Sequence, residues 1–321
     1  MFCSINDVIS PVVESSALHA ARADLLHGLL QPQARISPKY LYDARGCELF
    51  EQITRLPEYY PTRTEAAILA DAGPAMAQVL QGCEVLIELG AGNCEKVRAL
   101  CRSLRPRHFV GVDIAGDFLS QAVCRLADEF PGLDARAVQA DITGPLQLPP
   151  DLPRNGRLVF YPGSSIGNFD PADALAMLRR MHELLGPDGG LLIGIDLPKP
   201  LQWLEPAYDD AQGVTARFNL NVLSHVNRLL GSDFGEDDWA HHAFFNSGHS
   251  RIEMHLRARR PLTVAWPGGG RHFAESETIH TENSYKYPLS QFQATLAEAG
   301  FGVCQVWTDE RQWFAMVHAH A

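Results

Sequence analysis

The chain has 321 residues, 46% of them hydrophobic and 20% charged, enough for one large domain or two modest ones around a sizeable core. A formal net charge of −11 argues against a nucleic-acid partner, because a phosphate-binding surface is basic. No apolar run of about 18 residues and no basic block points to a membrane, and the opening Met-Phe-Cys-Ser-Ile-Asn-Asp lacks the parts of a signal peptide, so a cytoplasmic location is expected; a monomer is expected as well.

In chain order, Leu-Pro-Glu-Tyr-Tyr-Pro-Thr-Arg-Thr-Glu (56–65) sets two tyrosines between prolines, ahead of a helix expected to be capped by Thr64. Glu84–Leu89 reads as a strand that enters a Gly-x-Gly turn (Gly90, Gly92) and passes straight into a helix over Glu95–Leu104. Strands are then expected at His108–Asp113, Ala135–Ala140, Arg157–Tyr161 and Leu191–Leu197, with a helix from about Gly116 to Phe130 between the first two. Asp170 reads as an N-cap with Pro171 at the first helical position, and that helix stops at Gly186-Pro187. Continuous apolar strands between amphipathic helices imply a parallel sheet covered on both faces.

After Pro198-Lys199-Pro200 the pattern changes. Residues 201–230 read as helical, and Arg251–Arg257 alternates strictly, as a half-exposed antiparallel strand does. Gly268-Gly269-Gly270 reads as a turn, Thr278–Tyr287 as extended, Leu289–Ala299 as a helix, and Val303–Thr308 with Trp313–His318 as a terminal hairpin. Parallel strands closed by a late antiparallel hairpin give an α/β fold class with a Rossmann-like class I methyltransferase sheet, rather than the dehydrogenase layout. An insert of about 85 residues interrupts it. The expected domains are 64–198 with 287–321 for the methyltransferase sheet, and 1–63 with 199–286 for an α+β substrate-binding domain.

The seven cysteines form no Cys-x-x-Cys pair and suit free thiols in a reducing compartment. His241, His242 and His249 are the densest histidines, but no acid or cysteine stands at ligand spacing, so solvated or packed rings and no metal are expected.

The Gly-x-Gly turn invites a ligand to lie against backbone and helix N–H groups. A dinucleotide fingerprint would place a third glycine at Glu95 and no carboxylate at Glu88. Those acids are poor company for a pyrophosphate, whereas the ammonium and sulfonium of S-adenosylmethionine suit them; a charge pair at ~4 Å and an effective ε of ~20 is worth roughly 4 kcal/mol before desolvation. Asp113 ends the second strand, where a carboxylate can accept both ribose hydroxyls. Asp141 follows the third, where it can accept the adenine amino group while Ile142 packs on the ring. NAD bound through Asp113 alone is the weaker reading.

Four strings complete the picture: the 56–65 segment, Tyr-Pro-Gly-Ser-Ser-Ile-Gly-Asn-Phe (161–169), Ala-Tyr-Asp-Asp-Ala-Gln-Gly-Val-Thr (207–215) and Thr-Glu-Asn-Ser-Tyr-Lys-Tyr (281–287). Together they closely resemble the histidine Nα-methyltransferases of ergothioneine biosynthesis, from about Leu25 to the C-terminus. That resemblance implies conversion of L-histidine to hercynine by three successive methyl transfers, with a free small molecule as the partner. It implies that Asn168 and Tyr208 hold the carboxylate, Glu282 and Ser284 read the imidazole, and Tyr59 lies near the ring. It further implies that Tyr42 and Phe50 wall the amino group, that Met254 lines the site, and that Gly90, Lys96, Asp113 and Asp141 touch the cofactor. Tyr42, Asn168 and Tyr208 are the expected catalytic residues. The chain departs from the family at Cys94 and Val97, where Ser or Thr is common, and at Ser165, where Thr is frequent.

The residues support this reading chemically. In a strand, positions 282 and 284 share a face. Neutral imidazole offers one N–H, which a carboxylate accepts, and one lone pair, to which a hydroxyl donates. Methylation of another amino acid such as Trp or Tyr is the rival enzyme reading, opposed by the cost of burying Glu282 unpaired. A regulator that binds S-adenosylmethionine without turnover is the non-enzyme reading.

Overall fold

Short apolar runs that end in a turn recur along the chain, and in the computed structural model, which describes residues 11–321, most of them become strands. Cys3 and the stretch read for a signal peptide lie outside the described residues. The chain begins with α1 (Pro11–Leu29), β1 (Ala34–Arg35), α2 (Ala44–Ile53), α3 (Tyr60–Val79), β2 (Val85–Leu89) and α4 (Val97–Leu104). It continues through β3 (His108–Asp113), α5 (Gly116–Glu129), β4 (Asp134–Gln139), β5 (Arg157–Tyr161), α6 (Pro171–Leu184) and β6 (Gly190–Asp196). Next come α7 (Leu201–Leu204), α8 (Val214–Leu230), β7 (Trp239–Asn246), β8 (Arg251–Ala258), β9 (Leu262–Trp266), β10 (Gly269–Phe273) and β11 (Thr278–Tyr285). It ends with α9 (Leu289–Glu298), β12 (Gly302–Thr308) and β13 (Phe314–His320). Two compact units result: 60–199 with 285–321, and 11–59 with 200–284.

The first unit holds a seven-stranded sheet in the order β12-β13-β6-β5-β2-β3-β4. Only β13 runs against its neighbours, pairing antiparallel with β6 and β12. This is the Rossmann-like class I methyltransferase topology. Side chains alternate across it. Val85, Ile87 and Leu89 pack with Met177 and Met181 of α6 and Phe292 of α9. Leu86, Phe109 and Phe160 pack with Ile68 of α3, Leu100 of α4 and Leu119 of α5. Both faces are thus dry, and each such side chain contributes about 1.5–3 kcal/mol by leaving water. The chain leaves β2 towards β3 and later returns to β5 on its other side, which makes the β2/β5 ends the switch point where ligands bind.

Three local expectations for this unit change. Helix α3 starts at Tyr60, so Thr64 lies inside it, and its hydroxyl bonds back to the Tyr60 carbonyl rather than capping. Helix α4 starts at Val97, not Glu95, because Asn93 accepts the Glu95 N–H and Cys94 takes a left-handed φ of 58°, which holds the segment in turns. Asp170 does stand at the N-cap of α6, but its side chain makes no cap bond and instead accepts from the Tyr285 hydroxyl.

The second unit holds a four-stranded sheet, β1-β11-β8-β7, and a separate β9-β10 hairpin. The helical stretch expected over 201–230 is two helices. Asp210 accepts the N–H groups of Gln212, Val214 and Thr215, and Gly213 has φ +65°, so α8 begins afresh. Of the three consecutive glycines only Gly268 serves the turn, since Gly269 and Gly270 pair within β10. Strand β8 is not half-exposed at its centre: Glu253 and His255 are buried, as is the apolar side. Its polar side chains are covered because His242, Phe244, His255 and His280 stack ring on ring across three strands.

Candidate functional site

At the carboxyl end of β2 the backbone folds back on its neighbour. Gly90 and Ala91 both donate to the Val112 carbonyl, at 2.8 and 3.1 Å. Gly90 and Gly92 have φ of +66° and +51°, a region that an L side chain enters at a cost. Asp113 clamps the turn from β3, its two oxygens accepting the N–H of Gly92 at 2.9 Å and of Ala115 at 3.0 Å. Each of those oxygens keeps a second lone pair for a ligand. Glu88 is 1% exposed and its Oε2 has no hydrogen-bond partner. Burial pushes its carboxyl well above the usual range, opposed by Lys96. A Cβ placed on Gly92 would meet nothing within 4 Å. An orphaned buried carboxylate oxygen beside an open glycine turn fits a cationic adenosyl group and does not fit a pyrophosphate.

Asp141 and Ile142 follow β4. Asp141 Oδ1 accepts the N–H and hydroxyl of Thr143, at 2.9 and 2.6 Å, which fixes the turn, while Ile142 packs against the core. Lys96 does not stand alone. Its ammonium lies 2.7 Å from Glu65 Oε2, and Glu65 Oε1 accepts the Gly163 N–H at 2.7 Å. Glu65 is fully buried over Gly194, where a Cβ would come within 2.5 Å of its carboxylate, so that strand position must be glycine. Glu65 therefore ties the lysine of the β2–α4 loop to the 161–169 loop. Within that loop Ser165–Asn168 form a 3-10 turn that ends on Asn168, which is half-buried.

In the second unit, aromatic side chains from remote segments touch in series. The Tyr42 ring lies 5.6 Å from those of both Phe50 and Phe218, Phe50 lies 6.2 Å from Tyr59, and Tyr59 lies 6.1 Å from Tyr208. Tyr42, Phe50 and Tyr59 are half-buried and Tyr208 is buried. The series ends in a polar contact, the Tyr208 hydroxyl 2.6 Å from Ser284 Oγ. Glu282 and Ser284 are both buried in β11, and Met254 is buried in β8. The Tyr208 backbone is held by His241, whose Nε2 donates to the Tyr208 carbonyl at 2.8 Å while Nδ1 accepts from Asn219 at 2.9 Å. Those bonds define a neutral ring, and burial lowers its pKa accordingly.

Among the described residues, Glu253, His255 and His280 bring possible metal-ligating atoms within 4.8 Å of one another. Those atoms already serve a hydrogen-bonded core. His255 Nε2 lies 3.0 Å from Glu253 Oε2, His280 Nε2 lies 3.1 Å from the Glu282 carbonyl, and Arg251 and Asn246 bond Glu253 Oε1. Burial raises the Glu253 carboxyl, but His255, Arg251 and Asn246 outweigh it and hold it down at about 2. His242 joins the stack, and the N–H of His249 is bonded to Asn246.

Residues 21–321 match the model of a family described as histidine-specific, S-adenosylmethionine-dependent methyltransferases. The chain belongs to this family. It is 43% identical over 300 residues to the histidine N-alpha-methyltransferase of Mycolicibacterium smegmatis, covering 92% of each chain. It is 40% identical to that of Mycobacterium tuberculosis, covering 92% of this chain and 94% of the relative. The ergothioneine biosynthesis protein 1 of Neurospora crassa is 29% identical over 84% of this chain, a match that spans 31% of that longer protein.

Several residues of this histidine-specific methyltransferase escaped sequence reasoning. Glu65 stood in the quoted 56–65 string, yet nothing in the string marks it as buried. Phe218 and Asn219 gave no signal, and His241 was noticed only as one of the densest histidines, because their parts depend on tertiary neighbours. Cys94 and Val97 are buried, Cys94 beside Glu88 and Asp113, which together with burial push its thiol far above the usual range.

Proposed function

We propose that this protein transfers three methyl groups from S-adenosylmethionine to the α-amino group of L-histidine, giving hercynine, the first step of ergothioneine biosynthesis. The observation that carries the reading is the aromatic series from Tyr42 to Tyr208, ending in the buried Tyr208–Ser284 hydrogen bond on the strand that also bears Glu282. Glu282 accepts the imidazole N–H. On binding, the Ser284 hydroxyl donates to the imidazole lone pair, which frees the Tyr208 hydroxyl from Ser284 to donate its one hydrogen to the carboxylate. Asn168 and Tyr208 are assigned to the carboxylate, Tyr59 and Met254 to the flanks of the ring.

When bound, S-adenosylmethionine supplies a methyl carbon made electrophilic by its sulfonium. Glu88, Gly90, Gly92, Lys96, Asp113, Asp141 and Ile142 would hold it. The remaining task of the chain is to orient the amine and keep it neutral. A free α-amino group has a pKa of roughly 8, so a modest downward push suffices and no strong general base is needed. Tyr42, Phe50 and Tyr59 offer ring faces to a nitrogen that gains charge as it is methylated. No metal takes part in this scheme. The setting proposed is a cytoplasmic monomer acting on a free small molecule; no helix among the described residues is long and apolar enough to cross a membrane.

The test is mass spectrometry of the protein incubated with S-adenosylmethionine and all twenty amino acids. Histidine is expected to be trimethylated in preference to the others. Preferred methylation of a different amino acid, or none at all, overturns the substrate assignment.

A further inference from the structure

The chain passes between its two units at residues 59/60, 199/200 and 284/285. On the first unit, all three passages are tied to one carboxylate. Asp196 ends β6 and is 1% exposed. Its Oδ2 accepts from the Tyr60 hydroxyl at 2.6 Å and faces the Lys286 ammonium at 2.8 Å, while its Oδ1 faces the Lys199 ammonium at 2.5 Å. Tyr60 is the first residue of the unit after the first passage, Lys199 the last before the second, and Lys286 the second after the third. The backbone of Asp196 joins in, its N–H donating to Ser164 Oγ at 2.8 Å and its carbonyl accepting the Tyr287 N–H at 2.9 Å. Lys199 closes the knot, donating to the Leu197 carbonyl at 2.5 Å and the Tyr60 hydroxyl at 3.0 Å, with its ammonium 4.3 Å from the centre of the Tyr60 ring.

Two lysines this deeply buried are a costly way to fill space, since apolar side chains of similar volume pack as well without desolvating charge. What charge adds is a single allowed arrangement. Burial raises the Asp196 carboxyl, but Lys286 and Lys199 outweigh it and hold the group ionised. Burial, opposed by Asp196, brings Lys199 down to about 8.

We infer that Asp196 is a positioning residue, which fastens Tyr60, Lys199 and Lys286 and so holds the chain at the points where it leaves Tyr59 and Ser284. The inference rests on the proposed roles of Tyr59 and Ser284. There is little slack in the tether. Tyr59 is one residue from its anchor and Ser284 two, and the chain spans at most about 3.8 Å per residue. Tyr59 and Tyr60 thus divide the work, one ring facing the Phe50–Tyr208 series and the other holding the carboxylate.

Hydrogen exchange read by mass spectrometry, paired with steady-state kinetics, tests this on the full chain. In Asp196→Asn, exchange is expected to rise about tenfold in all three segments, 57–62, 197–202 and 283–288, while the 85–92 strand is unchanged. Lys286→Met should loosen only 283–288, whereas Tyr60→Phe, which loses the hydroxyl that serves both Asp196 and Lys199, should loosen 57–62 and 197–202 but not 283–288, so the inference stays testable even where Asp196→Asn folds poorly. The histidine KM of Asp196→Asn should rise about tenfold or more with a smaller change in kcat, the Kd of S-adenosylmethionine staying within about twofold, and Asp196→Glu should recover part of the loss. Loosening at one passage or none in Asp196→Asn overturns the tether, as does loosening of all three in Tyr60→Phe. An unchanged histidine KM with all three segments loosened overturns the positioning role. If the unaltered protein turns over no histidine, the functional reading fails, and the exchange experiment still decides the tether.

Discussion

In the first unit, the groups assigned to the methyl donor run from Glu88 to Ile142 and occupy the ends of three successive strands, β2, β3 and β4. In the second, the groups assigned to histidine come from the turn before α2, α2 itself, the approach to α3, the segment between α7 and α8, and strands β8 and β11. The first site follows from local rules. A strand that ends in a carboxylate, followed by glycines at positive φ, has one way to fold. The second exists only after Tyr42, Phe50, Tyr59 and Tyr208 have found one another. A donor site of the first kind can be shared by many methyltransferases, whereas an acceptor site of the second kind can be altered one wall at a time.

The comparison breaks most sharply at Asp113. Asp113→Ala loses the clamp on the Gly92 N–H together with two charge-assisted bonds expected to the ribose, each worth about 1.5–3 kcal/mol, so the Kd of S-adenosylmethionine should rise by roughly 100-fold or more. Calorimetry with the cofactor alone checks it; a change below about threefold would remove Asp113 from the donor site. Glu282→Ala should do the reverse. Losing one charged hydrogen bond to the imidazole lowers histidine kcat/KM roughly 10- to 100-fold and leaves cofactor Kd nearly intact. Unchanged kcat/KM would exclude Glu282 from reading the ring.

How far the sequence reached follows the same division. The parallel sheet and its terminal hairpin were legible because apolar runs with period-appropriate helices between them leave few topologies. The helices expected to start at Thr64 and Glu95 start at Tyr60 and Val97: Thr64 bonds back to the Tyr60 carbonyl from inside the first, and the turn at Cys94 delays the second. In the second unit α1, β1, β7 and the β9–β10 hairpin went unnoticed, and β8 was misread as half-exposed. Alternation reports polarity, and it cannot distinguish a wet face from one covered by stacked histidines. The roles of Tyr42, Asn168, Tyr208, Glu282 and Ser284 came from family resemblance, whereas Glu65, Asn219 and His241, which only support the site, left no local mark of that part.

A smaller effect sharpens the acceptor side. Cation–π contact is worth about 0.5–2 kcal/mol, so Tyr42→Leu should shift the mono-, di- and trimethyl product ratio towards early products while histidine is still consumed. A ratio identical to that of the unaltered enzyme would deny Tyr42 a part in holding the methylated amine.

The smallest expected effect is on stability. Burial, aided by His255, brings His280 down to about 4, and burial lowers His255 and His241 as well. Between about pH 6.5 and 4 the unfolded chain then binds protons that the folded chain refuses, so stability is full above 6.5 and falls as the pH drops through that window. Thermal melts across this range should show the decline, flattened in His280→Gln. An equally steep decline in that variant would mean that other groups carry it.

Cys94, turned into the left-handed region within the β2–α4 loop, has a consequence for reactivity. Burial pushes its neighbour Cys101, and Cys83 beside Cys101, up to about 12, and Cys94 further still. Peroxide and alkylating reagents attack thiolates, and none of these three sulfurs gives up its proton at cellular pH. The loop proposed to face the donor of methyl groups thus carries a sulfur held as the thiol, so Cys83, Cys94 and Cys101 offer no rival nucleophile to an amine brought there.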